Sequence, residues 1–314
     1  MRSYLVKRVP SALAVLVLAS VAVFLLLRLI PGDPADSLAG ADASPASVEA
    51  IRHRLGLDAS PFTQYFHWLG DLFSGHLGAS YVIGGDVADL IGAGLGATVQ
   101  LTLGALAWVL VLGLTGGVLG ATSRRRPVQA LVRVLTTAAL SVPPFVSGVV
   151  LVLVFAVLLG LLPSGGAGSF LDAPDLAAQY LLLPSLCLAL PSAAVLARYL
   201  KDSLERTLDE DYVRTATALG VPRRRILWRH ALPNAAPPVV TLLGMQIGHL
   251  LGGAVLVEAI FSWPGLGRLA QEAVLRRDYP VIQDLLLLLV VVFVVVQLLT
   301  DVVYAWLDPR IRFE

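Results

Sequence analysis

The most informative segment of this chain is DYVRTATALGVPRRRILWRHALP, residues 211–233. It is strongly charged, and it lies between two long apolar runs, Leu176–Ala197 and Ala231–Val257. Within it, Gly220 followed by Pro222 marks the end of one helix, because glycine accepts a left-handed backbone and proline cannot continue a helix. The stretch therefore predicts two short helices in a charged loop between two membrane spans.

The first helix of the loop is expected to begin near Leu208. Thr207-x-x-Glu210 matches the capping box, in which two side chains satisfy the first amides of a helix. Gly220 is expected to end this helix after about three turns. One face would then carry the residues spaced i, i+4 and i+7, which are Tyr212, Ala216 and Leu219.

The second helix of the loop is expected to begin near Pro222 and to run toward Leu232 and Pro233. Its first turn contains Arg223–Arg225, and cations at that end oppose the helix dipole. Two interpretations remain open. The arginines bind an external anion, either a lipid headgroup or an acidic partner surface, or they only set the orientation of the neighbouring spans.

The composition is that of a polytopic membrane protein. Of the 314 residues, 57% are hydrophobic and 14% are charged, whereas a soluble domain carries about 25% charged residues. The mean hydropathy is +0.79. The single cysteine, Cys187, excludes an intramolecular disulfide framework and a metal–thiolate cluster. A net charge of +1 gives no indication of a nucleic-acid partner.

Six charge-poor runs are each long enough to cross about 30 Å of hydrocarbon. The first is too long for the apolar region of a signal peptide, so we interpret it as a span. Pro143 and Pro144 are expected to bend the third run, either to line a pathway or as a structural kink. The six predicted spans are Val9–Ile30, Ala97–Ala121, Val134–Leu162, Leu176–Ala197, Ala231–Val257 and Tyr279–Thr300.

Basic residues predict the orientation of the spans. Of the 23 Lys and Arg residues, 17 lie in the termini and the loops at 122–133 and 198–229. Only 5 lie in the segments 31–96, 163–180 and 258–284. Cytoplasmic loops carry an excess of Lys and Arg. We therefore expect an all-α membrane protein with six transmembrane helices and both termini in the cytoplasm.

This topology divides the chain into parts. An external loop subdomain is expected to contain a short amphipathic helix that begins at Ser44-Pro45, with Val48, Ile51 and Leu55 on one face. Gly165-Gly166-Ala-Gly168 is expected to form a flexible external turn. The predicted parts are an N-terminal transmembrane helix (1–30), the external loop subdomain (31–96), a five-helix core (97–306) that includes a cytoplasmic loop (198–233), and a cytoplasmic tail (307–314).

The charged loop resembles the coupling loop of ABC-importer permeases, which has the form E-A-A-x-x-x-G, nine residues, then I-x-L-P. Arg214-Thr215-Ala216 occupy the E-A-A positions, so the leading Glu and Ala are absent, and His230 replaces the isoleucine. Gly220, Leu232 and Pro233 match.

The rest of the chain is similar to one branch of that family, the permeases of dipeptide, oligopeptide and nickel importers. The similar blocks follow the order of that branch over nearly the whole chain. They are Pro31-Gly-Asp-Pro34, Leu55-Gly-Leu-Asp58, Leu77-Gly-Ala-Ser80, Thr98-Val-Gln-Leu101, Gly252-Gly-Ala-Val-Leu-Val-Glu258, Phe261-Ser-Trp-Pro-Gly-Leu-Gly267, Arg277-Asp-Tyr-Pro280 and Leu307-Asp-Pro-Arg-Ile-Arg312.

The resemblance implies half of a transporter in the bacterial cytoplasmic (inner) membrane. A second, related permease would complete the pathway, two cytoplasmic ATPase subunits would drive it, and an extracytoplasmic substrate-binding protein would deliver the cargo. We expect membrane lipid around the spans and no nucleic-acid partner. The residues that this resemblance assigns to the ATPase-coupling loop are Tyr212, Arg214, Thr215, Ala216, Gly220, Val221, Pro222, Leu232 and Pro233.

The sequence predicts no catalysis, cofactor or metal site in this chain. The two lysines, Lys7 and Lys201, do not follow a glycine-rich turn, so there is no P-loop for ATP. Neither an H-E-x-x-H zinc motif nor a G-x-S-x-G nucleophile motif is present.

Ionisable residues at membrane depth are candidates for function. His249 lies in the middle of the fifth run, where it either lines the pathway or packs as a neutral side chain. Glu258 either faces the mouth of the pathway or binds the next loop. Asp284 marks the headgroup end of the sixth span or has a functional role. Gly244, Gly248 and Gly252 share one helical face, which we expect to be the seam with the second permease.

Phe261 and Trp263 next to Pro-Gly suggest two alternatives. They form either an aromatic anchor at the outer interface or part of an external gate or contact surface. The cargo is expected to be short peptides, with nickel or a metal chelate as the alternative. A stand-alone secondary transporter is the competing class, but no internal repeat is visible.

Overall fold

The computed structural model describes residues 2–29, 33–39 and 43–307, without the side chains of 2–7, 9, 37 and 299–307. This part of the chain is mostly helical and contains no strand; residues Ala79 and Asp86 form one isolated antiparallel bridge. The C-terminal tail expected at 307–314 lies outside the described residues, apart from Leu307.

The described residues contain thirteen α-helices and two π-helical segments. In chain order they are α1 (Arg2–Leu29), α2 (Pro34–Ala39), α3 (Pro45–Arg54), α4 (Pro61–Phe73), α5 (Val87–Thr122), α6 (Arg126–Ser141), α7 (Pro144–Leu151) with a π-helix at Val152–Leu158, α8 (Pro174–Leu208), α9 (Asp211–Ala218), α10 (Arg223–Arg225) with a π-helix at Ile226–Ala231, α11 (Leu232–Ile260), α12 (Leu266–Arg276) and α13 (Tyr279–Leu307).

Five helices are long and apolar enough to cross a membrane. A helix suits this environment because it satisfies its own backbone amides and carbonyls where no water is present. Each of these helices overlaps one of five predicted runs. They are Pro10–Leu29, Val87–Thr122, Pro174–Leu208, Arg223–Ile260 and Tyr279–Leu298.

The third predicted run, Val134–Leu162, is not one helix. Helix α6 ends at Ser141, α7 begins at Pro144, and the two helices are bent by 113°. Two consecutive prolines remove two amide donors, and a residue before proline avoids the helical conformation. Val142 is accordingly extended, with ψ 124°. The described residues therefore contain five candidate spans, or six if this bent pair crosses the membrane as one.

The short helix expected at Ser44-Pro45 is confirmed as α3. The Ser44 hydroxyl accepts a hydrogen bond from the Ser47 amide at 3.2 Å, and Pro45 occupies the first helical position. Gly56, just after the helix, has φ +67°. The side chains of the expected apolar face are half-buried, whereas most of the helix is exposed.

The chain divides into two compact units. The first contains the residues up to Gly96 together with Gly265–Leu298, and the second contains Ala97–Pro264 with the C-terminal residues. In the first unit, the start of α5 packs on α12 and α13 around the buried residues Val87, Leu266 and Leu285.

In the second unit, α5 and α8 approach each other through glycines. A Cβ at Gly113 would lie 2.6 Å from the Leu196 side chain, and one at Gly117 would lie 2.8 Å from the Leu200 side chain. Small residues permit this close approach between helices. Leu196 and Leu200 are themselves buried in the main core, which α11 completes with Leu250.

A buried carboxylate in the first unit anchors residues 80–83. Asp278, just before α13, accepts hydrogen bonds from the Ser80 hydroxyl and from the amides of Tyr81, Val82 and Ile83, the amides at 3.0–3.1 Å. Burial alone would raise the pKa of Asp278, but these four bonds favour the charged form, and the pKa is lowered from its ordinary value.

The Asp278→Asn variant should be less stable than the wild type by about 2 kcal/mol, because an amide replaces a charged acceptor. The folded pKa is lowered, so the contribution is complete above the ordinary pKa of about 3.9 and is lost as the pH falls below it. Thermal unfolding should show a constant difference between pH 7 and pH 5 that shrinks in stronger acid. The exposed Asp172→Asn is the control, and equal melting of Asp278→Asn and wild type at pH 7 would refute the anchor.

Candidate functional site

The loop between α8 and α11 begins differently from the prediction. The Thr207 hydroxyl donates to the Ser203 carbonyl at 2.9 Å, one turn back in α8, and does not cap a new helix. Helix α8 continues to Leu208 because its apolar residues, including Leu200 and Leu204, are buried in the protein. Helix α9 starts at Asp211 without a side-chain cap. The predicted capping box is therefore wrong.

The end of α9 agrees with the prediction. Gly220 has φ +78°, its amide donates to the Thr217 carbonyl, and the Val221 amide donates to the Ala216 carbonyl, both at 3.1 Å. These are the two hydrogen bonds of a Schellman motif, which satisfies carbonyls at a helix end. No atom lies within 4 Å of a Cβ at Gly220. The left-handed backbone, and not a lack of space, requires glycine here.

The second helix of the loop was expected to run toward Leu232-Pro233, and the structure shows that it continues beyond them. Helix α10 continues through the π-helix Ile226–Ala231 into α11, and Arg223–Ile260 forms one apolar helix of 38 residues. Pro233 stands at the start of α11, just after the π-helix, whose different hydrogen-bond spacing accommodates local changes in a helix. The loop and the following span are therefore one continuous helical body.

Helix α9 is attached to the start of this long helix. The Asn234 amide donates to the Tyr212 hydroxyl at 3.1 Å and to the His230 carbonyl at 2.8 Å. Val213 is buried on the inner side of α9. Helix α8 is attached as well, through the Ser203 hydroxyl, which donates to the Ala235 carbonyl at 3.0 Å. A displacement of α9 would therefore act on α11 directly.

The outer face of the loop carries apolar side chains that no described residue covers. Tyr212 is 42% exposed, Leu219 is 79% exposed and Trp228 is 56% exposed. Arg214 pairs with Asp211 at 3.4 Å. The other residues predicted for this loop are exposed or half-buried: Thr215, Ala216, Val221, Pro222, Leu232 and Pro233.

Arginines extend this face beside Trp228. Arg224, Arg225 and Arg229 line a shallow groove of about 610 Å³ together with Pro222. Arg223–Arg225 make no ion pair with any described residue. The loop thus presents exposed aromatic and aliphatic groups next to free cations, a combination that suits a partner surface with acidic residues.

Two hydrogen bonds join the C-terminal end of α11 and the turn after it to Ala97 and Thr98, at the start of the second unit, and we call these contacts the α11 lock. Glu258 is fully buried, and the Thr98 hydroxyl donates to its Oε1 at 2.6 Å. The Trp263 indole donates to the Ala97 carbonyl at 2.8 Å. Phe261 and Trp263 are both completely buried. Since an interfacial anchor must reach the headgroups, the anchor interpretation of these two aromatic residues is wrong.

The turn after α11 is held by the glycine loop at 165–166. The Gly166 amide donates to the Phe261 carbonyl at 2.8 Å, and a Cβ at Gly165 would lie 2.5 Å from the same oxygen. Ser262 has φ +51°, a conformation uncommon for a residue with a side chain. Gly165-Gly166 is therefore a packed element, and the expected flexible turn is wrong at this position.

His249 lies on an exposed face of α11. Gly248 and Gly252, on the same helix, have no atom within 4 Å of an added Cβ, whereas Gly253 packs against Leu188. In the stripe of Gly244, Gly248 and Gly252, the last two glycines thus have empty space beside them. Among the described residues, the one group of three that offers metal ligands is Glu49, His53 and Asp58, all exposed, and His249 is not part of it.

Several residues that position these elements were not identified as functional from the sequence. Thr98 and Asp278 belong to blocks that carry the family resemblance, Thr98-Val-Gln-Leu101 and Arg277-Asp-Tyr-Pro280. That resemblance was the available signal for them. Asn234, which joins α9 to α11, follows the Leu232-Pro233 match directly.

Family models match nearly the whole chain. Residues 113–313 match the model described as "Binding-protein-dependent transport system inner membrane component". Residues 1–102 match the model of the N-terminal part of such components. The chain is also 40% identical, over the full length of both proteins, to the "Glutathione transport system permease protein GsiC" of Escherichia coli strain K12 and of Shigella dysenteriae serotype 1.

Solved structures share the fold at lower identity. The MetNI methionine ABC transporter in an inward-facing conformation gives a TM-score of 0.57 at 20% identity, over 70% of this chain and 96% of the solved chain. An amino acid ABC transporter with histidines gives a TM-score of 0.53 at 18% identity, over 69% of this chain and 94% of the solved chain.

Gly220→Val should destabilise the end of α9 by about 1–2 kcal/mol, because a β-branched residue resists the left-handed backbone. Gly220→Asn should cost clearly less, since Asn tolerates this conformation and the space around Cβ is empty. Hydrogen exchange at the Val221 amide, which donates to Ala216, measures the difference. Equal protection in both variants would mean that the backbone conformation of Gly220 is not what holds the loop.

Proposed function

Because the chain belongs to the family of binding-protein-dependent transport system inner membrane components, we propose that it forms half of the pathway of an ATP-driven importer for short peptides. As an ABC-importer permease, it is a multi-pass protein of the inner membrane and not an enzyme. ATP is hydrolysed on separate subunits.

The observation that carries the proposal is the continuity between the exposed loop and a span. Helix α9 is hydrogen-bonded through Tyr212 and Asn234 to a helix that runs unbroken from Arg223 to Ile260. A groove on an ATPase subunit would receive α9 and the exposed side chains of Leu219 and Trp228. Closure of two ATPase subunits would then move α11 as a lever between inward-open and outward-open states.

The loop must face the cytoplasm for this coupling. In the proposed orientation both termini are cytoplasmic, the segment 31–96 is external, and the bent pair α6–α7 counts as the third of six spans. The support is the distribution of Lys and Arg, of which 17 of 23 fall on the proposed cytoplasmic side. Arg223–Arg225 would pair there with acidic groups of the ATPase or of lipid headgroups.

We propose that the external gate is the lock at the C-terminal end of α11. Glu258 binds Thr98, and Trp263 binds Ala97, so this end of α11 is fixed to the start of the second unit in the present conformation. Movement of α11 would either break these bonds or carry both partners together. Phe261 would seal the gate, and the exposed His249 would face the pathway.

A second, related permease would complete the pathway. The open glycines Gly248 and Gly252, with Gly244 one turn before them, would let a helix of that subunit approach α11 closely. Two cytoplasmic ATPase subunits and an extracytoplasmic substrate-binding protein complete the proposed assembly, and lipid covers the remaining apolar faces.

The proposed cargo is a short peptide. The relatives at 40% identity are named as glutathione transport permeases, and glutathione is a tripeptide. Nickel or a metal chelate, the alternative from the sequence, stays a prediction.

An uptake assay tests the proposal. The chain is reconstituted in liposomes with the second permease, the ATPase and the binding protein of its transport system, and glutathione uptake should require ATP. Gly220→Pro should lower uptake roughly tenfold or more, because proline removes the amide that binds Thr217 and imposes φ near −65°. Gly220→Asn, which keeps the amide, is the control. ATP-independent uptake, or full uptake by Gly220→Pro in the membrane, would contradict the proposal.

A further inference from the structure

A cavity of about 840 Å³ lies within the first compact unit. Its walls come from the end of α1, from α4, from the connection after α3 and from the start of α13. Volumes between about 300 and 1,000 Å³ are usual for sites that bind small molecules. No residue of the coupling loop, of the α11 lock or of the glycine stripe lines it. The cavity is therefore independent of the sites described above.

One wall of the cavity is an aromatic pair with a charge at each end. The Arg28 guanidinium carbon lies 4.0 Å from the centre of the Phe24 ring, and that ring stacks on Trp68 at 6.1 Å. The Trp68 indole in turn donates to Asp284 Oδ1 at 2.7 Å. A cation and a carboxylate are thus held apart by two stacked rings.

Both charged groups keep unused hydrogen-bonding capacity. Arg28 is exposed and binds the Gln64 side chain, but a guanidinium has five donors. Asp284 is 4% exposed, and its bond from Trp68 occupies one of its two oxygens. Asp33 and Arg52 also line the cavity, but they bind each other. Asp71 and His67 also line the cavity, as exposed groups of α4. Only Arg28 and Asp284 stand at the two ends of the aromatic pair, and they are the charges that this wall offers to a guest.

The start of α13 adds an unsatisfied polar atom. Tyr279 lines the cavity, is 9% exposed, and its buried hydroxyl has no hydrogen-bond partner among the described residues. A buried hydroxyl without a partner costs free energy unless a water or a ligand supplies one. This observation is independent of the charges and also indicates a bound polar group.

The spacing of the charges limits the size of the ligand. The steps of 4.0 and 6.1 Å place the Arg28 guanidinium carbon no more than about 10 Å from the Trp68 ring, next to which Asp284 is held. An extended chain covers about 3.3–3.6 Å per residue. Two or three residues therefore separate a terminal ammonium from a terminal carboxylate by a comparable length.

We propose that this cavity binds a free peptide of two or three residues, with its ammonium at Asp284 and its carboxylate at Arg28. The aromatic pair of Phe24 and Trp68 would pack against the peptide between the two ends. The inference rests on the proposed function for the cargo class, and it adds a site outside the pathway. In the proposed orientation the cavity opens on the external side, where a peptide arrives before transport.

Chemical derivatives of one peptide test the proposal on the unmodified protein. The assembled transporter, without binding protein, is placed in nanodiscs of phosphatidylcholine and phosphatidylglycerol, and calorimetry measures binding of Ala-Ala-Ala, its N-acetyl form and its C-terminal amide. Each derivative lacks one charge and should bind at least about tenfold more weakly than the free peptide, since each loses a charge-assisted contact. Equal binding of all three, or no binding of any, overturns the proposal.

Variants assign each end of the peptide. Asp284→Asn keeps an acceptor for Trp68 and should weaken the binding of Ala-Ala-Ala. It should bind the N-acetyl form as well as the wild type does, because that peptide has no ammonium to lose at Asp284. Arg28→Gln should behave in the same way toward the C-terminal amide. Asp89→Asn and Arg54→Gln, exposed and outside the cavity, are the matched controls. The assignment would be refuted if the losses of binding free energy were additive, that is, if the variant weakened binding of the derivative as much as it weakens binding of the free peptide.

Two further arms separate the other outcomes. In nanodiscs that contain phosphatidylethanolamine, whose headgroup is also a zwitterion, the affinity for the peptide should change by no more than about twofold. A loss of peptide binding in these nanodiscs would show that the lipid headgroup occupies the cavity, and it would refute the proposal. ATP-dependent uptake of Ala-Ala-Ala is measured in parallel with the binding protein present. Uptake without binding in the cavity would overturn this inference alone, whereas a failure of uptake would overturn the proposed function.

Discussion

A backbone amide or carbonyl within hydrocarbon must find its partner inside the protein, and this constraint explains most of the architecture. It explains why the described chain is mostly helical. Prolines remove amide donors, and their effects differ along the chain. Pro184 and Pro191 stay within a continuous α8. Pro143-Pro144 coincides with the 113° bend between α6 and α7. Because the pair Pro237-Pro238 leaves α11 continuous, two adjacent prolines do not by themselves break a helix.

Backbone hydrogen bonding also joins the loop of 209–233 to the span that follows it. Since the π-helix Ile226–Ala231 keeps the backbone hydrogen-bonded, the loop passes into the span without a flexible joint. Gly220 supplies the sharp turn, and Asn234 ties the far side of that turn back to Tyr212. At its other end α11 is held by Glu258 and Thr98. A force applied to α9 would therefore travel along one helix to the lock.

Local features of this fold were predictable, and contacts between distant residues were not. Gly220, the Ser44 cap and the bend at Pro143-Pro144 are set by backbone chemistry within a few residues, and the structure agrees with all three. The bonds of Asp278 to Ser80 and of Asp284 to Trp68 join residues 198 and 216 positions apart, which no periodicity reveals. Asp284 was accordingly expected at the headgroups and is buried. The Thr207 cap failed because its hydroxyl had a competing carbonyl one turn back.

The proposed transport cycle requires a rigid connection between α9 and α11, and the distance between the two helices can be measured in the assembled transporter. Spin labels at Thr215 in α9 and at Met245 in α11, both exposed, report this distance by electron–electron double resonance. A rigid connection gives one narrow distance distribution whose mean is unchanged between the nucleotide-free and ATP-bound states. A broad distribution, or a shift of several ångströms with ATP, would show that the loop bends and that α9 does not move α11 as a lever.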